Sequence, residues 1–174
     1  MDTVIGLFED HDKAEQALEE LEEADFTRDE VGLLAQRDAV EDVLNADREE
    51  AAVESAGAGA LGGSALGGLI GLLAGASAVA VPGIGPALAV GAWASVLGTT
   101  AAGAGVGAAY GGLVGALIGF GVTEEQTHVY VEGVQQGGIL MVIQSEEGKN
   151  ARAAEILRDH GAVAVNVVTQ EANE

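Results

Sequence analysis

Glu125-Gln126-Thr127-His128 sets a carboxylate and an imidazole at the Glu-x-x-His spacing that di-iron helix bundles use. A complete site of that kind needs a second such motif and two further helical carboxylates, and the chain supplies one motif. The stretch Thr127-His128-Val129-Tyr130-Val131-Glu132 also alternates as a strand would. Glu125 and His128 therefore read as a cap-region acid and a surface or packing histidine. They remain the place to look for a small-ligand or metal-binding sensor. His11 lies between Asp10 and Asp12 in a β-α turn, where capping is the ordinary role. His160 falls in the last turn of a helix, whose negative end favours a protonated imidazole. Ser55, Ser64, Ser77, Ser95 and Ser145 stand in no G-x-S-x-G elbow. Gly103-Ala104-Gly105-Val106-Gly107-Ala108 has phosphate-loop glycines without the Lys-Ser/Thr end or a preceding strand. There is no cysteine. No catalytic, cofactor-binding or metal residues are assigned, and a non-enzymatic protein without a cofactor is expected.

The elements that would carry these side chains fall into two unlike parts. Ser55 to Thr123 holds no Asp, Glu, Lys or Arg but 20 of the 27 glycines, while the remaining 105 residues carry all 28 acids and all seven bases. In the charged part, Thr3 to Phe8 reads as a strand. Asp12-Lys13-Ala14-Glu15 has capping-box spacing, and Ala14, Ala17, Leu18, Leu21 and Ala24 follow at helical intervals. Val31 to Ala35 resumes as a strand. The C-terminal part repeats the pattern. Ile139 to Ile143 is apolar on both faces, as a central strand is. A helix over about 150–160 turns Ala153, Ile156 and Leu157 inward, Gly161 takes the position after its end, and Val163 to Val168 closes the series. Two β-α-β halves predict an α+β, ferredoxin-like split domain. The expected division is 1–37 and 124–174 for the two halves, 38–54 for an acidic connecting helix, and 55–123 for an apolar Gly/Ala-rich helical hairpin insertion.

Within the insertion, Gly59, Gly63, Gly67, Gly71 and Gly75 recur every four residues, and so do Gly103, Gly107, Gly111, Gly115 and Gly119. An interior helical glycine costs about 0.5–1 kcal/mol relative to alanine, so each ladder forfeits roughly 3–5 kcal/mol. Close backbone approach to a neighbouring helix is the available recompense. Pro82, Gly83, Gly85 and Pro86 read as the reversal between two helices: Pro82 ends the first, the glycines permit positive φ, and Pro86 opens the second. Residues 56–78 and 100–121 are each long enough, as helices, to cross a hydrocarbon core of about 30 Å. Both ends of the insertion enter one domain, so three crossings are excluded, while two, or none, remain. Acidic flanks and the lack of any base between Arg48 and Lys149 weigh against a bilayer. The expectation is nonetheless a structural protein that self-associates through its ladder helices at or in a membrane; the alternative is a soluble homo-oligomer with those helices buried in its core.

Val79 to Pro86, flanked by glycine-rich segments, resembles the signature of the bacterial and archaeal heat-induced general stress protein family, the YflT-like domain. The opening VIGLFEDHDKAEQALEELEEADF and the run YVEGVQQGGILMVIQSEE, with Tyr130, Gly133, Gly137 and Gly138, are similar to the same family. The resemblance implies a stress-associated protein, often described as a membrane protein, and no established reaction. A net charge of −21 with two lysines excludes nucleic acid as a partner. The expected partners are a second copy of the chain and a lipid bilayer. The acidic start, MDTVIGLFED, lacks the form of a signal peptide, which places the charged part in the cytoplasm or at the inner face of the cytoplasmic membrane.

Overall fold

A computed structural model describes residues 2–27, 29–41, 77–81, 84–91, 93–94, 112–145 and 148–169. The chain is α+β. Its strands are β1 (Asp2–Phe8), β2 (Val31–Gln36), β3 (Ser77–Val81), β4 (Gly85–Val90), β5 (Ile139–Ser145) and β6 (Ala164–Thr169). The helices are α1 (His11–Glu23), α2 (Gly112–Gly119), α3 (Glu124–Gln135) and α4 (Asn150–Asp159). The strands form one wholly antiparallel sheet in the order β3-β4-β2-β5-β1-β6.

Alternation along the strands divides the core into two layers, one on each face of the sheet. Val4 and Phe8 of β1, Val31, Leu33 and Ala35 of β2, and Ile139, Met141 and Ile143 of β5 meet α1 and α4. From those helices come Ala14, Ala17, Leu18 and Leu21, and Ala153, Ala154, Ile156 and Leu157. Ile5, Leu7, Leu34, Leu140 and Val142 project the other way, against Leu113, Ala116 and Leu117 of α2, Tyr130 and Val134 of α3, and Trp93. Two covered faces explain why Val4–Phe8 of β1 and Ile139–Ile143 of β5 are apolar without alternation.

Apart from Glu124–Gln135, which is a helix, the charged segments form the elements their patterns predict, within a residue or two. The cap of α1 lies earlier than the Asp12–Glu15 spacing suggests. Asp10 is the N-cap, its carboxylate accepting from the Asp12 backbone N–H at 3.0 Å, and Asp12 sits in the first turn. At the end of α4, His160 is the C-cap and Gly161 follows with φ +82°, the left-handed conformation expected there.

The insertion departs from the helical-hairpin reading. Ser77–Val81 and Gly85–Val90 are paired strands, and the PGIGP stretch joins them as a β-hairpin on the edge of the sheet. Gly85 has φ +94°, and Ile84 N–H donates to Val81 O at 3.0 Å, so the reversal is real but connects strands. Pro86 opposes Ala80, one residue before the register with β2 begins at Ala87, and so takes no place in that ladder. Pro82 and Gly83 lie outside the described residues. So do Gly59, Gly63, Gly67, Gly71, Gly75, Gly103, Gly107 and Gly111, together with residues 42–54 of the expected connecting helix; residues 37–41 are helical. None of the helices of the described residues is long and apolar enough to cross a membrane.

Candidate functional site

Where α1 and α4 run side by side, their outer surfaces leave an open groove of about 570 Å³ lined by Gln16, Glu19, Glu20, Glu23, Ala24, Arg152 and His160. Glu20 is its centre. One carboxylate oxygen, Oε1, accepts from Arg152 Nη2 at 2.7 Å, and Oε2 lies 2.6 Å from His160 Nε2. Arg152 also donates through Nη1 to Glu155 Oε2 at 3.0 Å. That hydrogen bond, with the charges of Glu155, Glu20 and Asp159, holds the guanidinium even more firmly protonated than usual. The helical register explains the convergence: Glu20 faces outward because Leu18 and Leu21 face in, and Arg152 does so because Ala153 and Ala154 face in. Chemically, the cluster orients a proton between Glu20 and His160 but brings no nucleophile to it. Among the described residues, no group of three or more His, Cys, Asp or Glu side chains is placed to hold a metal ion. Clipping α1 to α4 is sufficient reason for these contacts.

A second set of polar groups is buried without partners. The Tyr130 hydroxyl, on the face of α3 against the sheet, makes no hydrogen bond, and burial pushes its ionisation up to about 12. Asn166 of β6, which accepts from Gln126 Nε2 at 3.5 Å, lies near enough to draw that value partly back. Asp2 Oδ1 and Ser145 Oγ, on residues directly opposite one another at one end of β1 and β5, are likewise unsatisfied. So are Trp93 Nε1 and His11 Nε2. Trp93 packs edge-on to Phe120, with ring centroids 5.1 Å apart at 81°.

The structure scatters the residues that sequence motifs single out. Glu125 and His128 fall in the first turns of α3, which is a helix despite the strand-like alternation, and both side chains are exposed. His11 opens α1, His160 closes α4, and His128 lies on α3. Of the two glycine ladders, the described rungs are Gly115 and Gly119 of α2. Among the described residues, a Cβ at Gly119 would meet nothing within 4 Å. Close approach is used elsewhere. A Cβ on Gly133 of α3 would overlap the Leu7 side chain of β1, and one on Gly138 would lie 2.8 Å from the carbonyl oxygens of Gly133 and Phe8. The groove at Glu20 was not legible in advance, because its residues are 132 and 140 positions apart along the chain and carry no shared motif. No family model, no curated protein and no solved structure matches the chain.

Proposed function

We propose that this is a non-enzymatic structural protein that self-associates through its uncharged glycine-ladder segments, those segments being buried between protomers. The carrying observation is where the segments begin and end. In sequence β2 and β3 flank one of them, β4 and α2 the other, and all four elements belong to one sheet and the layer covering it. Both ends of each segment are therefore tied to one folded unit. Two bilayer crossings need about 40 apolar residues. The charge-free residues before β3 are 55–76, 22 in all, and those between β4 and α2 are 91–111, 21 in all. A single crossing would strand the far end on the wrong side. Burial against a second copy satisfies both ends, and the exposed Gly119, which no described residue covers, offers with the exposed Ile118 beside it a site of close approach.

Two further points belong to the same reading. Without β3 and β4, the order β6-β1-β5-β2 supports reading the sheet as ferredoxin-like βαββαβ, the insertion then falling between its second and third strands. The resemblance to heat-induced general stress proteins supplies the physiological setting: an acidic protein that assembles under stress, in the cytoplasm. The net charge of −21 keeps finished assemblies apart.

Fractionation of the full chain at native expression level, with an alkaline-carbonate wash of the membrane pellet, tests this. Recovery in the supernatant as a defined high-mass species is the expected result. Retention in the washed pellet and flotation with lipid would overturn it in favour of membrane insertion.

A further inference from the structure

We propose that β6 is a second self-association surface, at which two copies of the chain pair edge to edge and continue the sheet. The contact is separate from the glycine ladders and shares with the reading above only the premise of self-association.

The strand is an edge, and among the described residues no element lies beyond it. Alternate backbone N–H and C=O groups of an edge strand point away from the sheet, ready for a further strand. Proteins ordinarily blunt such an edge with lysine, proline or a bulge. Here the register with β1 runs without interruption from Ala164 to Thr169, and residues 161–170 contain no charge and no proline. Val163 and Val167 are 53% and 41% exposed, large apolar side chains left in water.

Charge selects the occupant. Two molecules of net charge −21 repel wherever their acids face one another, so a self-contact requires a surface free of them. Antiparallel pairing about a two-fold axis at Asn166 sets Val165 against Val167, Ala164 against Val168 and Val163 against Thr169. No charged residue meets another along the strand, and five of the seven positions from 163 to 169 are β-branched, the type that packs best in cross-strand pairs. A basic partner would find on β6 no carboxylate to recognise, which is why a second copy fits this edge better than a foreign strand.

The absence of cysteine makes a direct test available. Single cysteines are placed in turn at positions 163 to 169 of the full chain, oxidised, and scored for cross-linked dimer. Sedimentation of Val167→Lys runs alongside, with circular dichroism as the check on folding. Cross-linking that peaks at Asn166→Cys and falls away on both sides is expected, together with a dimer dissociation constant raised about tenfold or more by Val167→Lys. Absent or position-independent cross-linking, or a Val167→Lys chain that dimerises as the parent does, would overturn the proposal. Adding Gly111→Leu to the Asn166→Cys chain separates the two surfaces. A persisting cross-link supports the β6 contact whatever happens to the larger assembly, whereas its disappearance along with that assembly would place the contact on the ladders and refute it.

Discussion

Replacing Tyr130 by phenylalanine removes one oxygen from the middle of the molecule and leaves the ring in place. The residue is 1% exposed and its hydroxyl has no hydrogen-bond partner. Leaving a buried hydroxyl unpaired costs about 1–3 kcal/mol, so Tyr130→Phe is expected to raise stability at pH 7, by about 1 kcal/mol. Alkaline pH adds a second, larger signal. Burial lifts the phenol from its ordinary 10.0 to about 12. A folded-state value above the unfolded one means that the associated stability is fully present below pH 10 and is lost as pH rises through the folded value. Two units at 1.36 kcal/mol each set an upper bound of about 2.7 kcal/mol; solvent reaching the site as the fold loosens reduces it to about 1–2 kcal/mol. Urea unfolding of parent and variant at pH 7, 9, 10 and 11 isolates this group, because every other titration is common to both. The stability difference should widen in favour of the variant across that range. Absorbance at 295 nm gives an independent reading: the chain has two tyrosines, and Tyr130→Phe should abolish a late-titrating step. A variant less stable than the parent at pH 7, or a difference unchanged between pH 9 and 11, would show that the hydroxyl is satisfied and refute the reasoning.

Other perturbations follow from the same geometry. Gly133→Val drives a side chain into Leu7 where α3 crosses β1, and should cost about 1–3 kcal/mol in urea unfolding, with Leu7→Ala relieving part of the loss. Glu30 accepts from the Thr27 backbone N–H at 2.7 Å and the Thr27 hydroxyl at 2.9 Å, chiefly the former holding its carboxyl below the usual 4.5. Its contribution is present above that ordinary value and lost as pH falls through the lowered one. Glu30→Gln should therefore cost under about 1 kcal/mol at pH 7, and less as the pH falls through the lowered value. His160→Ala, which removes the partly buried contact to Glu20, should lower stability by no more than about 1 kcal/mol, measured by the shift in urea midpoint; a loss several times larger would mean the groove is more than a surface clip.

Much of the sheet was legible because burial writes itself into spacing. Ala14, Leu18 and Leu21 announce the inner face of α1, Ile139 to Ile143 a doubly covered strand, and Gly161 the end of α4. The insertion was misread at 77–90 for a specific reason. Residues four apart share a face in a strand as well as, approximately, in a helix, so a spacing of four does not distinguish the two. Ser77 to Val81 and Gly85 to Val90 also alternate in twos, but the neighbouring glycine ladders made the helical period look continuous through them. α3 posed the opposite difficulty. Thr127, Tyr130 and the partly buried Val131 share the inward face at helical spacing while Val129 is exposed, but Thr127, Val129 and Val131 also stand two apart, which mimics alternation over a short window. The groove at Glu20 depends on α1 and α4 lying side by side, a tertiary fact that no local pattern encodes.

Sedimentation velocity of the full chain, purified without detergent and run beside Gly111→Leu, bears most directly on self-association through the ladders. A single defined multimer for the parent, and a smaller species for a Gly111→Leu chain that keeps its circular dichroism spectrum, is the predicted result. Identical sedimentation of the two, or a parent chain that stays dispersed only in detergent, would contradict it.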